Sequence, residues 1–298
     1  MTERQEGIAR ARHVLILLNP TAGRRRRALF DATLVALGRR NVVVTLRTTE
    51  RAGHATELAR AATTERFDAV IAAGGDGTIY ETINGLVGST MPFGVVPLGT
   101  ANIFAASVGL RRRAERIAET IATASPTPIK LGRFGDRYFA LMISCGPDAR
   151  VVEHLNLRLK RLTGRFAYAW ETWRQFLHFR PIVYEADIDG VAHRAHWIIV
   201  ANQKFHAGPY TIAPDARWDD DKLHVVLMVG GTRWAMLGYG IALFAGRLPD
   251  RSDVKIIAAA QVTLRGPSSE PLQADGEIAG RLPVTVECVP AALRVLMP

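Results

Sequence analysis

The run Ala72-Ala73-Gly74-Gly75-Asp76-Gly77-Thr78 limits what this chain can fold into more than any other segment. It follows an apolar stretch, 67–71, that reads as a buried strand. It precedes Ile79, Glu81, Thr82, Ile83 and Leu86, which read as a helix. Three glycines at a strand-to-helix turn leave the backbone bare, so its N–H groups can approach an anion. The positive end of the following helix points to the same spot. An aspartate inside a phosphate cradle is repulsive unless a divalent cation, or a network reaching one, sits between them. The segment therefore implies a nucleotide phosphate site with a metal. The plainer reading is a tight turn with an exposed Asp, but turns rarely need three glycines around one carboxylate.

Around this turn, residues 12–125 alternate short apolar strands with helices. Strands are predicted at 14–18, 42–46, 69–72 and 94–97. Helices are predicted at 28–37, 55–62, 79–86, 101–108 and 114–124. Such alternation implies a doubly wound parallel sheet with its ligand-binding turns along one edge. Past Ser125-Pro126-Thr127-Pro128 the pattern changes to closely spaced strands at 129–134, 137–144, 182–187, 196–201, 224–229, 254–260, 261–265 and 284–289. Turn signals such as Asp189-Gly190 and Asp275-Gly276 separate several of them. The expected fold is α/β: an N-terminal doubly wound parallel-sheet nucleotide domain over 1–128, then a mainly antiparallel β domain over 129–298. A helical insertion spans about 151–179, and residues 291–298 are candidates to return to the first domain.

Composition narrows the partners. The chain has 298 residues, 48% of them apolar and 22% charged, enough for a sizeable core. Its formal net charge of +10 is carried mostly by arginine and favours an anionic partner. Nucleic acid is disfavoured, because no helix-turn-helix, zinc-finger or RNA-recognition pattern is present. Cys145 and Cys288 stand far apart in apolar surroundings and read as reduced thiols. The 14–18 run is too short for a signal peptide, and 225–246, the longest apolar region, is broken by Gly230, Gly231, Thr232 and Arg233 into strand, turn and short helix. A cytoplasmic protein is expected.

Three further strand exits carry Gly, Thr or Asn. These are Asn19-Pro20-Thr21-Ala22-Gly23 leading into Arg24–Arg27, Thr48-Thr49 before Gly53-His54-Ala55, and Pro97-Leu98-Gly99-Thr100-Ala101-Asn102. In the last, Thr100 or Asn102 is placed to cap the next helix. Each alone is readable as a turn or cap, and together they read as one shared site.

With these motifs in order, the sequence resembles the diacylglycerol kinase catalytic-domain superfamily, in its soluble bacterial lipid-kinase branch. The Gly-Gly-Asp-Gly-Thr turn alone also fits NAD kinases. The Gly99-Thr100-Ala101-Asn102 element and the distal Asp275-Gly276-Glu277 favour the lipid kinases. The resemblance implies ATP in a cleft between two domains. The residues expected to hold it are Asn19, Pro20, Thr21, Gly23, Thr49, Gly74, Gly75, Asp76, Gly77, Thr78, Thr100 and Asn102. It implies Glu277 as the proton acceptor, with Asp76 under the phosphates and Asp275 orienting the turn or a metal. It also implies Mg²⁺ held by Asp220 and the carbonyls of Arg217 and Lys222. Two departures stand out: Asp221 where the family pattern has Gly, and Ile103 where many relatives have Asp.

A lipid hydroxyl sits at a membrane surface. Arg158, Lys160, Arg161 and Arg165, followed by Phe166, Tyr168, Trp170, Trp173, Phe176 and Phe179, have the composition of an interfacial segment. The same aromatics also suit packing on the β domain. Clusters at Arg24–Arg27 and Arg111–Arg113 would add nonspecific attraction. The expectation is a peripheral protein meeting its lipid at an anionic membrane surface, with a homodimer left open. Two rivals remain: a kinase of a soluble hydroxyl substrate such as NAD, and a catalytically silent lipid-binding protein on the same scaffold.

Overall fold

A computed structural model describes residues 13–23, 26–154, 165–206 and 210–298, without the side chains of 165–169. Arg24, Arg25, Arg158, Lys160 and Arg161 lie outside the described residues, as do the side chains of Arg165, Phe166 and Tyr168. The chain divides into two compact units. One runs from the N-terminal side to Ile129 and includes Ala291–Pro298; the other is Lys130–Pro290.

The first unit is built on four parallel strands, β1 His13–Leu18, β2 Val43–Thr48, β3 Ala69–Gly74 and β4 Phe93–Pro97, in the order β2-β1-β3-β4. Val14 to Leu17 and all of β3 and β4 are buried, as expected for strands covered on both faces. Between them lie α1 Pro20–Gly23, α2 Arg27–Gly38, α3 His54–Ala62 and α4 Asp76–Leu86; α5 Ile103–Ser107 and α6 Ala114–Thr123 follow β4. Right-handed crossovers put α2 on one face and α3 and α4 on the other, because the first connection moves outward and the next two move back across the sheet. The helix contacts agree: α3 packs on α4 and α2 on α6. Along the α3–α4 seam, Gly85 lets the helices close, since a Cβ there would lie 2.5 Å from the Thr56 carbonyl oxygen.

The predicted helix over 101–108 is shorter at its start. Asn102 sits at φ 51°, in the left-handed region, and the helix begins only at Ile103.

The second unit is antiparallel. Its six-stranded sheet has the order β14-β13-β10-β7-β16-β17, where β7 is Met142–Cys145, β10 Trp197–Ala201, β13 Leu223–Met228, β14 Val254–Ala259, β16 Pro271–Ala274 and β17 Glu277–Arg281. A second set pairs β8 Tyr184–Ile188 with β9 Val191–Ala195 and β15 Gln261–Arg265, and β15 with the first half of β18 Val284–Leu296. Successive residues of β10 serve different cores, as strand pleating requires. Ile198 and Val200 join Ile143, Val225, Leu264 and Val286 in one cluster. Ile199 and Ala201 join Val226, Met228, Tyr239 and Leu243 in another. The latter lies under the helix Arg233–Phe244, the second half of the region read as strand, turn and short helix.

The predicted strand 137–144 is two strands, β6 Arg137–Phe139 and β7. They are separated because the amides of residues 140–142 bond to a side chain rather than to a neighbouring strand. Within the predicted insertion, two helices are described, α7 Pro147–His154 and α8 Arg165–Leu177, so the Arg233–Phe244 helix is α9.

Candidate functional site

In the first unit the registers align the strand ends. Leu18 stands opposite Thr48 on one side and Ala73 on the other, and Gly74 opposite Pro97. The next backbone bonds tie the exits together. Asn19 N donates to Ala73 O (2.9 Å), Thr49 N to Leu18 O (2.9 Å), and Leu98 N to Gly74 O (2.8 Å). The predicted residues Asn19, Thr49, Gly74 and Gly75 are thus gathered on one edge, with Gly99 beside Gly75.

Each residue type there answers a local demand. Asn19 Oδ1 accepts from Thr21 N (3.0 Å) and Ala22 N (3.2 Å), which turns the chain into α1. Its Nδ2 donates to Thr78 Oγ1 (3.1 Å), linking two exits. A Cβ on Gly74 would fall 2.5 Å from Thr78 Oγ1, so the buried Thr78 side chain fills the space glycine leaves. A Cβ on Gly99 would fall 2.5 Å from Gly75 Cα. The backbones of these two loops touch, with the Asn102 side chain beside the contact.

Asp76 does not stand free among these amides. Its carboxylate accepts from Asn102 N (2.9 Å) and Ile103 N (2.6 Å) and so serves the first donors of α5. The capping expected of Thr100 or Asn102 is supplied instead by Asp76. The Asn102 side chain turns back, accepting from Gly99 N (2.9 Å) and donating to Gly99 O (2.6 Å). Burial pushes the Asp76 carboxyl above its ordinary value, against the amides of Ile103, Asn102 and Phe104 and the Arg112 charge, which pull it down.

Arg112 is a residue the sequence reading counted only as surface charge. Its guanidinium donates to the carbonyls of Thr100 (3.2 Å) and Ala101. Burial and the neighbouring charge of Arg26 lower its affinity for a proton. Arg112 thus brings a guanidinium to this loop within the field of the Arg26 charge, an arrangement that favours an anion. The exposed Thr100 and the half-buried Thr49 lie on the same loops.

In the second unit, Asp275 and Gly276 form a two-residue hairpin turn at φ 51° and 86°, joining Ala274 to Glu277 across β16 and β17. The Asp275 carboxylate accepts from Ala140 N (2.7 Å), Leu141 N (2.8 Å) and Met142 N (3.0 Å). Gly276 N donates to Gln273 Oε1 (2.9 Å), and Gln273 Nε2 donates to Ser144 Oγ (2.7 Å) and Asp148 Oδ2 (3.2 Å). A fixed hairpin thus presents Glu277, which is exposed. Nothing in the sequence marked Gln273, Ser144 or Asp148 as its support.

The residues expected to bind Mg²⁺ have a different partner. Lys130 Nζ, wholly buried, donates to Asp220 Oδ1 and to the Lys222 carbonyl. Asp220 also accepts from Arg217 N (3.2 Å) and Lys222 N (3.1 Å), and Asp219 pairs with the Arg217 side chain (2.8 Å). Two of the three expected metal ligands are thus spent on an ammonium, and the loop does not fit a divalent ion. Among the described residues, no group of three or more His, Cys, Asp or Glu is placed to hold a metal.

Against known proteins, the model of the diacylglycerol kinase catalytic domain matches residues 13–134, and that of the YegS C-terminal NAD kinase beta sandwich-like domain matches 141–297. Two Staphylococcus aureus proteins named diacylglycerol kinase, from strains bovine RF122 / ET3-1 and JH9, are each 28% identical over 276 residues, covering 90% of this chain and 87% of theirs. A crystal structure of a diacylglycerol kinase from Bacillus anthracis str. Sterne shares the fold. It has a TM-score of 0.79 and 20% identity over 97% of this chain and 98% of that one. With both domain models matched in order, the second over more than half of the chain, this protein belongs to the diacylglycerol kinase catalytic-domain superfamily.

Proposed function

We propose that the chain is an ATP-dependent lipid kinase that transfers the γ-phosphate to a hydroxyl of diacylglycerol or a related lipid. The observation that carries this reading is the alignment of four strand exits in the first unit. There the Gly75 and Gly99 backbones touch, and the Arg112 guanidinium is held on the Thr100 and Ala101 carbonyls of the same loop. Phosphoryl transfer asks a protein mainly for positioning and charge neutralisation, and these groups offer both. Asn19 and Thr78 hold two of the loops together, and Asp76 holds the α5 start. Glu277, on a hairpin fixed by Asp275 and Gln273, is the carboxylate proposed to take the hydroxyl proton.

A lipid acceptor calls for a surface that meets a bilayer, and α8 and α9 offer one. On α9, Leu237, Ile241 and Phe244 recur at helical spacing on the face opposite buried Met236, Tyr239 and Leu243, and all three are exposed. Trp234 is 64% exposed. It meets Phe176 of α8 edge-on at 6.0 Å, and Phe176 stacks on Trp173, itself exposed, as is Trp170. Exposed Arg233 and Arg247 bracket α9. Aromatics and aliphatics bordered by arginine suit an anionic lipid surface, as does the net charge of +10. Phe179, from the same predicted segment, instead packs against the core under α9. Among the described residues no helix is long and apolar enough to cross a membrane.

The description of the matched C-terminal domain gives a specific ground for a second reading, a kinase of NAD. Phosphate transfer from ATP to diacylglycerol in mixed micelles, measured beside transfer to NAD, separates the two. Lipid product is expected, and Glu277→Gln should lower its rate roughly 10²–10⁴-fold. Phosphorylated NAD without lipid product would replace the proposal. Nucleotide binding with transfer to neither acceptor would favour a silent lipid-binding protein.

A further inference from the structure

We propose that Lys130 supplies, as a fixed ammonium, the cation that the turn around Asp220 would otherwise draw from solution. This inference does not depend on which acceptor the enzyme uses.

The geometry starts from strand β5, Pro126–Phe134. Lys130 lies within an unbroken buried run from Ile129 to Gly132, where a lysine survives only if its charge is answered. Its backbone N donates to Trp218 O (2.9 Å), and its carbonyl accepts from Asn202 Nδ2 (3.1 Å). The stem is thereby held beside the 217–222 loop. Its Nζ then reaches two oxygens of that loop, the Asp220 carboxylate and the Lys222 carbonyl. Asp220 closes the turn on itself by taking the amides of Arg217 and Lys222. One carboxylate, one carbonyl and one positive charge make a closed set.

The charge count favours the ammonium over a divalent ion. Among the described residues, Asp220 contributes the one carboxylate paired with Lys130. Asp219 is exposed and turned to Arg217 in a bidentate pair, and Asp221 is exposed. His224 Nε2 stands 3.6 Å from Asp220 Oδ2. A lysine leaves the pair neutral, whereas a second cation would bring three positive charges to one carboxylate. Hard divalent ions also ask for six or more oxygens, and here two are already taken. The backbone at Asp221 fits the same account. Asp221 is not in the left-handed region, so this turn does without the conformation that a glycine there would permit.

Equilibrium dialysis of the nucleotide-free protein against Mn²⁺ tests the assignment. The wild type is expected to hold no ion that Asp220→Asn removes. Lys130→Met is expected to melt lower than wild type, to gain about one Mn²⁺ per chain, and to recover stability with millimolar Mg²⁺. Adding Asp220→Asn to it should abolish that gain. One Mn²⁺ per wild-type chain, lost in Asp220→Asn, would overturn the proposal. So would a Lys130→Met protein that melts like the wild type. If Lys130→Met does not fold, the dialysis of the wild type beside Asp220→Asn decides alone.

Discussion

Asp76 and Asn102 are joined although 26 residues separate them: the carboxylate of the first accepts the backbone N–H of the second at 2.9 Å. The acid of the glycine-rich turn thereby holds the start of the helix that leaves the next strand. Asp76→Asn keeps the shape but removes the charge and presents an amide to two N–H donors. A loss of roughly 1.5–3 kcal/mol is expected from urea unfolding, along with weaker nucleotide binding as the Gly99–Ile103 loop loosens.

The two touching glycines should respond unequally. A Cβ on Gly99 would lie 2.5 Å from Gly75 Cα and 2.8 Å from Asn102 Oδ1, whereas a Cβ on Gly75 would meet Gly99 Cα at 3.5 Å, an ordinary contact. Gly99→Ala should therefore cost about 1–3 kcal/mol of stability. Gly75→Ala should melt near the wild-type temperature. Calorimetry compares the two, and equal losses would contradict the close approach.

Asp275→Ala leaves the amides of residues 140–142 without their acceptor. About 3 kcal/mol should be lost, since each buried donor left unmade costs of order 1–3 kcal/mol and water recovers part of it. Glu277→Gln, in the same hairpin but exposed, should change stability by less than about 0.5 kcal/mol. Denaturant midpoints of the two variants check this contrast.

Acid should loosen the Asp220 loop. Burial alone would raise this carboxyl, but the Lys130 bond and the amides of Lys222 and Arg217 outweigh it and hold it below 3.8. A carboxylate lowered on folding adds stability above its ordinary value and loses it as pH falls through the folded one. In Lys130→Met the burial effect is left with less opposition, so acid destabilisation should begin at higher pH. Melting temperatures across an acid titration read the shift.

Replacing Ile241 and Phe244 with serine should reduce co-sedimentation with anionic lipid vesicles about tenfold or more, given the apolar area these two expose. Folding should be undisturbed, because neither side chain is buried.

The local features were legible in the sequence and the distant ones were not. Strand exits, hairpin turns at Asp189-Gly190 and Asp275-Gly276, and the change of pattern near residue 128 all depend on residues a few places apart. The partner of Asp76 could not be read in this way. Its charge suggested a cation, and the amides that answer it come from another loop. Lys130 was hidden for a similar reason: inside Ile129-Lys130-Leu131 it reads as one polar residue in a strand, and its partners are 90 and 92 residues away. Arg112 looked like one of three surface arginines until its bonds to Thr100 and Ala101 set it apart. The break between β6 and β7 has no local signal either, since Asp275 causes it from 133 to 135 residues downstream.

The buried pairing of Lys130 with Asp220 carries a practical consequence. A charge that is part of the polypeptide arrives with translation at fixed stoichiometry. It cannot be stripped by chelators during purification, and it spares this loop from competing for the cell's free magnesium.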